Sequence, residues 1–177
     1  MGAVENRLVT VEEYLSDPAY EHCEYVDGEV VELNMGTDSH SRITIKCGRW
    51  LDEYLDRNPG GSVHAELHCR LTIGGKTRYR LPDVCLVRGS FEGPYIERAP
   101  DLCVEIRSPK DSVGDQIAKF DDYFVNGCKL GWLILPEEQT VLILAPASGP
   151  RVARIGDTLD GGEVLPGLQI AVASLFA

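Results

Sequence analysis

Between Ser39 and Arg57 the apolar residues Ile43, Cys47, Trp50, Leu51, Tyr54 and Leu55 recur at intervals of three and four. That spacing places them on one face of an α-helix, and Asn58-Pro59-Gly60-Gly61 closes it. A second helix is predicted from Ser112 to Asn126, opened by a capping box of Ser112 and Asp115 and ended by Gly127. A third, short helix opens at Thr10, answered by Glu13, and stops near Asp17-Pro18. The other apolar runs have strand character. Two of them flank Asp27-Gly28, a strong hairpin signal. Residues 62–73 read as one strand, Gly74-Gly75 as a turn, residues 77–87 as a second strand and Pro100–Ser108 as a third. Leu130–Pro146 reads as a hairpin turned at Pro136-Glu137-Glu138, and the tail holds short apolar pieces punctuated by glycine.

This order predicts an α/β (α+β) fold with a mixed central sheet, one main helix on each side and added hairpins. A chain of 177 residues with 44% hydrophobic and 25% charged positions suits one domain spanning residues 1–177. The N-terminal stretch has no basic region followed by an apolar core, and Asn6 occupies the position where a myristoylation signal needs Ser or Thr. No apolar run is long enough to cross a membrane. A cytoplasmic protein with no membrane partner is expected. The six cysteines form no CxxC pair, and Cys69, Cys85 and Cys103 lie inside strand-like runs, so they read as reduced core residues.

Charge complicates the choice of partner. The net charge of −11 argues against non-specific affinity for nucleic acid, which rests on Lys and Arg meeting phosphates. A local basic rim drawn from Arg42, Arg49, Arg70, Lys76, Arg78 and Arg80 would offset it.

Two carboxylates stand out because strand alternation places them inside apolar segments. Asp83 points away from the face of Val84 and Leu86. Glu105 shares a face with Cys103 and Arg107, opposite Leu102, Val104 and Ile106. A buried carboxylate is costly unless it is paired, protonated or bound to metal. On neighbouring strands the two would converge on one hard cation such as Mg²⁺. Separate salt bridges to Arg80, Arg107 or Lys119 are the other way to satisfy them.

The motifs around these residues decide which family the chain resembles. Pro82-Asp83 followed by Glu105-x-Arg107 is similar to the signature of the PD-(D/E)xK nuclease superfamily. The wider series comprises Tyr25 to Val31, His40-Ser41-Arg42, Arg80 to Val84 and Pro100 to Pro109. It continues through Asp115, Lys119, Tyr123, Gly131 to Leu135 and Leu165 to Leu168. In order and spacing, from about Thr10 to Phe176, the chain resembles the Uma-two family of restriction endonucleases. The resemblance implies a restriction-endonuclease-like core and a Mg²⁺-dependent endonuclease, with Mn²⁺ as an alternative, that hydrolyses phosphodiester bonds of nucleic acid, DNA first among them. It assigns Asp83 and Glu105 to the metal and to catalysis.

The same resemblance leaves several roles open. Glu24 is either a pocket residue or a strand-surface charge, and His40 either a proton shuttle or an exposed helix residue. Arg80 and Tyr123 would line the pocket. Arg107 stands where the superfamily has Lys, and Arg cannot lose its proton to act as a base. It would clamp a phosphate instead, while Lys119, reaching down from the following helix, would take the lysine's place. A homodimer is the expected assembly for an enzyme that cuts both strands. The other class of function open to such a chain is a non-catalytic nuclease-fold module for binding or assembly, favoured by the acidic charge and the missing motif lysine. The two differ in whether Asp83, Glu105 and Lys119 meet in one cleft.

Overall fold

The computed structural model describes residues 8–33, 36–146 and 148–177. The leader and lipidation signals considered at Met1–Asn6 lie outside them. In chain order the elements are α1 (Val11–Ser16), β1 (Cys23–Val26), β2 (Glu29–Glu32), α2 (Asp38–Arg57), β3 (Gly61–His64), β4 (Cys69–Ile73), β5 (Lys76–Arg80) and β6 (Val84–Arg88). They continue with β7 (Leu102–Ile106), α3 (Val113–Val125), β8 (Leu130–Leu135), β9 (Thr140–Leu144), β10 (Arg151–Arg154), β11 (Thr158–Gly161), β12 (Leu165–Ala171) and α4 (Val172–Phe176). Among the described residues no helix is long and apolar enough to cross a membrane.

The central sheet is mixed and has the order β10-β9-β8-β7-β6-β3. Its parallel pair is β7 and β8, joined by the crossover helix α3. One face of this sheet, carrying Val84, Leu86, Val104, Ile106, Trp132 and Ile134, packs on the α2 stripe of Ile43, Cys47, Leu51, Tyr54 and Leu55. Fully burying a large apolar side chain of this kind is worth about 1.5–3 kcal/mol, which fixes the helix to the sheet. The opposite face, with Cys85, Val87, Cys103, Leu133 and Leu135, meets Phe120 and Tyr123 of α3. A second, antiparallel sheet, β2-β1-β5-β4, adds Cys69 and Leu71 to that same core. The Asp27-Gly28 hairpin forms as its sequence dictates, with both residues at positive φ (54° and 100°), as a tight two-residue turn requires.

Two of the expected strands are each split in two. Residues 62–73 become β3 and β4, and residues 77–87 become β5 and β6, the members of each pair lying in different sheets. Pro82 explains the second break, because it has no N–H to donate to a ladder. The first turns at Glu66, whose φ is +51°. Both breaks occur together: the Glu66 N–H donates to the Pro82 carbonyl at 3.1 Å. The chain therefore steps from one sheet to the other immediately before Asp83.

All six cysteines are buried and free, in keeping with their reading as core residues. Asp101, from the Pro100-Asp101 motif, is also buried and accepts from the Arg88 N–H (2.8 Å) and from Lys129 (2.9 Å). It ties β6 and β7 to the start of β8, away from the Asp83 end of the strands.

The height of α3 over the sheet is set by a glycine. A Cβ at Gly131 would lie 2.4 Å from Cε1 of Phe120, whose ring is buried. Gly131→Ala must displace that ring or the helix. Urea unfolding should show a loss of about 1–3 kcal/mol, the usual cost of overpacking, and an unchanged midpoint would contradict the close approach.

Candidate active site

Both sheets and two helices deliver charged groups to one end of the central sheet. β6 and β7 are antiparallel with Val84 opposite Val104, so one step further Asp83 stands opposite Glu105. Asp83 is fixed by its neighbours: Oδ2 accepts from the Ile106 N–H at 2.6 Å, and Oδ1 lies 3.1 Å from Nε2 of His40. His40 is placed there by the first turn of α2, where the Thr37 hydroxyl caps the helix by accepting from the His40 N–H. Glu105 is buried at 3% exposure. Its Oε2 accepts from Lys119 Nζ (2.9 Å) and its Oε1 from the Tyr123 hydroxyl (2.7 Å). Lys119 and Tyr123 are four residues apart on α3 and so share a face.

The Lys119 ammonium also donates to Oε1 of Glu24 on β1 at 2.7 Å. Glu24 is buried too. It accepts from the Leu81 N–H (3.0 Å) and from Arg80 (2.7 Å), and Arg80 in turn pairs with Asp122 (2.7 Å). Glu24, His40, Arg80, Asp83, Glu105 and Lys119 line one cleft of about 210 Å³, together with residues of β2 and of the loop and first turns leading into Lys119. Tyr123 supports Glu105 from beneath.

These surroundings set the protonation of each group. Burial raises the Glu105 pKa, Asp83 and Glu24 raise it further, and Lys119 opposes them, leaving it at about 8. For Glu24, burial acts in the same sense, but Lys119 and Arg80 outweigh it and hold the carboxyl below its ordinary range. Burial works against the Lys119 charge, yet Glu105, Glu24 and Asp83 more than offset it, so its pKa is raised and it remains an ammonium. The hydrogen bond to Asp83 raises the His40 pKa, against the opposing effect of burial.

The cleft thus gathers Asp83, Glu105, Lys119, Glu24, His40 and Arg80, with Tyr123 behind. Arg107 is elsewhere. β7 ends at Ile106, and beyond it the Arg107 guanidinium turns to the β8–β9 turn, pairing with Glu137 (3.0 Å) and Glu138 (2.8 Å). It is not among the cleft residues. The basic rim drawn from sequence loses Arg78 and Arg80, while Arg42 and Lys76 stay exposed. Arg78 and Arg80 point inward to Asp122, Arg70 pairs with Glu97, and Arg49 with Glu53. Asp122 escaped the sequence reading. Its signal was its place three residues after Lys119, on the same side of the helix.

The oxygen donors of the cleft suit a divalent cation. Asp83 and Glu105 offer oxygens only, the ligand type of Mg²⁺, and the raised Glu105 pKa reflects burial first and the nearby Asp83 and Glu24 second, both of which a bound cation would offset. Among the described residues no group of three or more His, Cys, Asp or Glu side chains could hold a metal. Mg²⁺ commonly takes only one or two carboxylates and completes its shell with water and phosphate, so the pair fits.

A carboxylate pair on adjacent antiparallel strands, answered by a lysine from the crossover helix of a mixed sheet, places the fold in the restriction-endonuclease-like class. A family model described as "Putative restriction endonuclease", Uma2, matches residues 11–173, and the chain belongs to that family. Among solved structures the chain is similar to "a putative nuclease belonging to DUF820" from Anabaena variabilis. The TM-score is 0.82 at 24% identity, over 95% of this chain and 97% of that one. A search of curated proteins returned no match.

The Asp83 contact makes His40 a checkable group. In metal-free protein its ring should titrate above the ordinary value of 6.5 by NMR, and Asp83→Asn should bring it back down. Because the folded value is the higher one, this contact stabilises the protein fully at pH below about 6.5 and is lost as pH rises through the raised value. A ring that titrates identically in both proteins would rule the contact out.

Proposed function

We propose that the chain is one restriction-endonuclease-like domain and a Mg²⁺-dependent endonuclease that hydrolyses phosphodiester bonds, with DNA as the substrate. The observation that carries this reading is the meeting of Asp83, Glu105 and Lys119 in a single cleft. What favours catalysis over a purely structural ion pair is the third carboxylate, Asp83, which lines the same cleft as Glu105 and Lys119. Asp83 and Glu105 would hold Mg²⁺ or Mn²⁺. When bound, the cation polarises the scissile phosphate and lowers the pKa of an attacking water.

The chain's own residues do the rest. Lys119 keeps its proton, so it acts as a fixed positive charge and not as a base. Two of its three N–H groups are committed to Glu24 and Glu105, and the third is left for a phosphate oxygen. Stabilisation of developing charge by one such donor is worth about 2.7–4 kcal/mol, or roughly 10²–10³ in rate. His40 holds Asp83 in register, and Tyr123 and Lys119 together orient the Glu105 carboxylate. Arg107, held by Glu137 and Glu138, takes no part in this account. The chain's negative charge makes nucleic-acid affinity dependent on the cation and on salt.

Titration calorimetry should show Mg²⁺ or Mn²⁺ binding that weakens markedly in Asp83→Ala, and identical isotherms would contradict the assignment. Cleavage of plasmid or oligonucleotide by Lys119→Met should fall by about 10²–10³, compared at a temperature where both proteins are folded. That control matters because removing a buried charge partner costs about 3–5 kcal/mol of stability. A wild-type protein that cleaves neither DNA nor RNA with either metal would overturn the reading.

A further inference from the structure

The ion pairs that hold Lys119 do not stop at the cleft. Glu24, which accepts from Lys119 through Oε1, accepts from Arg80 Nη1 through Oε2 at 2.7 Å. Nε and Nη2 of Arg80 both donate to Oδ2 of Asp122, at 2.9 and 2.7 Å. Oδ1 of Asp122 accepts from Arg78 Nη1 at 2.7 Å, and Arg78 grips Asp27 at the β1–β2 turn through two further bonds. Signs alternate at every step, so each interior charge lies between two of the opposite sign. Asp122 is the carboxylate that joins the two arginines of this ladder. It is 4% exposed and does not line the cleft.

Its position has a directional consequence. Arg80 presents a planar fork, and its Nε and Nη2 edge places both N–H groups on one carboxylate, here on the single oxygen Oδ2 of Asp122. At present that fork faces Asp122, and Glu24 receives only the remaining Nη1. Without the Asp122 charge, Glu24 becomes the sole carboxylate on Arg80. The guanidinium then turns its fork to Glu24 and draws it off the Lys119 ammonium. We infer that Asp122 is a positioning residue which, through Arg80 and Glu24, fixes where the Lys119 ammonium points in the cleft. This rests on the reading of Lys119 as the charge that meets the phosphate.

The inference differs from a purely structural role, in which Asp122 only fastens β5 to α3. Asp122→Asn keeps the shape and removes the charge, while Asp122→Glu restores it. The first readout needs no substrate and no metal: the ¹H–¹⁵N signal of the Lys119 ammonium, assigned by its loss in Lys119→Met. The signal should shift or broaden in Asp122→Asn and return toward its wild-type position in Asp122→Glu. An unmoved signal in folded Asp122→Asn would overturn the inference, whatever its melting temperature. Should Asp122→Asn not fold, Arg80→Lys, which keeps the charge and loses the fork, must move the same signal, and an unmoved one is again decisive.

The second readout is cleavage below the melting temperature of both proteins. Asp122→Asn should lower kcat about 10–100-fold, the usual effect of a supporting residue, with KM nearly unchanged and most of the loss regained in Asp122→Glu. An unchanged kcat counts against the inference. If the wild type cleaves nothing, the nuclease reading fails while the ammonium signal still decides the ladder.

Discussion

Burying an ammonium group inside a protein is unfavourable unless carboxylates come with it, and the Lys119 end of this molecule is arranged around that requirement. Lys119 arrives from α3 and Glu105 from β7, consecutive elements, while Glu24 comes from the distant β1. None of the three charges is tolerable alone at this depth. The antiparallel sheet that carries Glu24 must therefore dock where it does, and the two sheets are joined by charge as well as by the apolar core of Cys69, Leu71 and Phe120. Asp83 lies at the mouth of this arrangement and is half-buried, so it remains open to a ligand.

Much of this was legible in the sequence. The α2 and α3 stripes and the Asp27-Gly28 turn follow from local spacing, which tertiary packing reinforces. The convergence of Asp83 and Glu105 was also legible, because alternation fixes the face and the register of β6 against β7 then sets them side by side. The reach of Lys119 to Glu105 followed from the rise of helix and strand. Its burial did not, since a lysine flanking an apolar stripe looks the same whether a second sheet covers it or water does.

Most of the misreadings share one origin. Residues 62–73 and 77–87 each look like a single strand, because hydrophobic alternation does not record a change of sheet. Pro82 marked one of those changes, while Glu66 left no signature. Once the second sheet was missed, Arg78 and Arg80 read as a solvent-facing rim instead of partners of buried Asp122. Arg107 was misplaced for a smaller reason: alternation assigned it the face of Glu105, but the strand ends one residue earlier and the side chain leaves for Glu137 and Glu138.

The six buried thiols give the molecule a set of internal clocks. They sit in β1, α2, β4, β6, β7 and the turn between α3 and β8, so each of the two larger sheets holds two of them. Burial raises the pKa of Cys23, Cys47, Cys69, Cys85 and Cys103. In the closed state these groups are neither accessible nor ionised, and alkylation requires both. Each thiol therefore becomes reactive only while its own layer is open. The chain carries its own record of which parts of the fold open separately and which open only together.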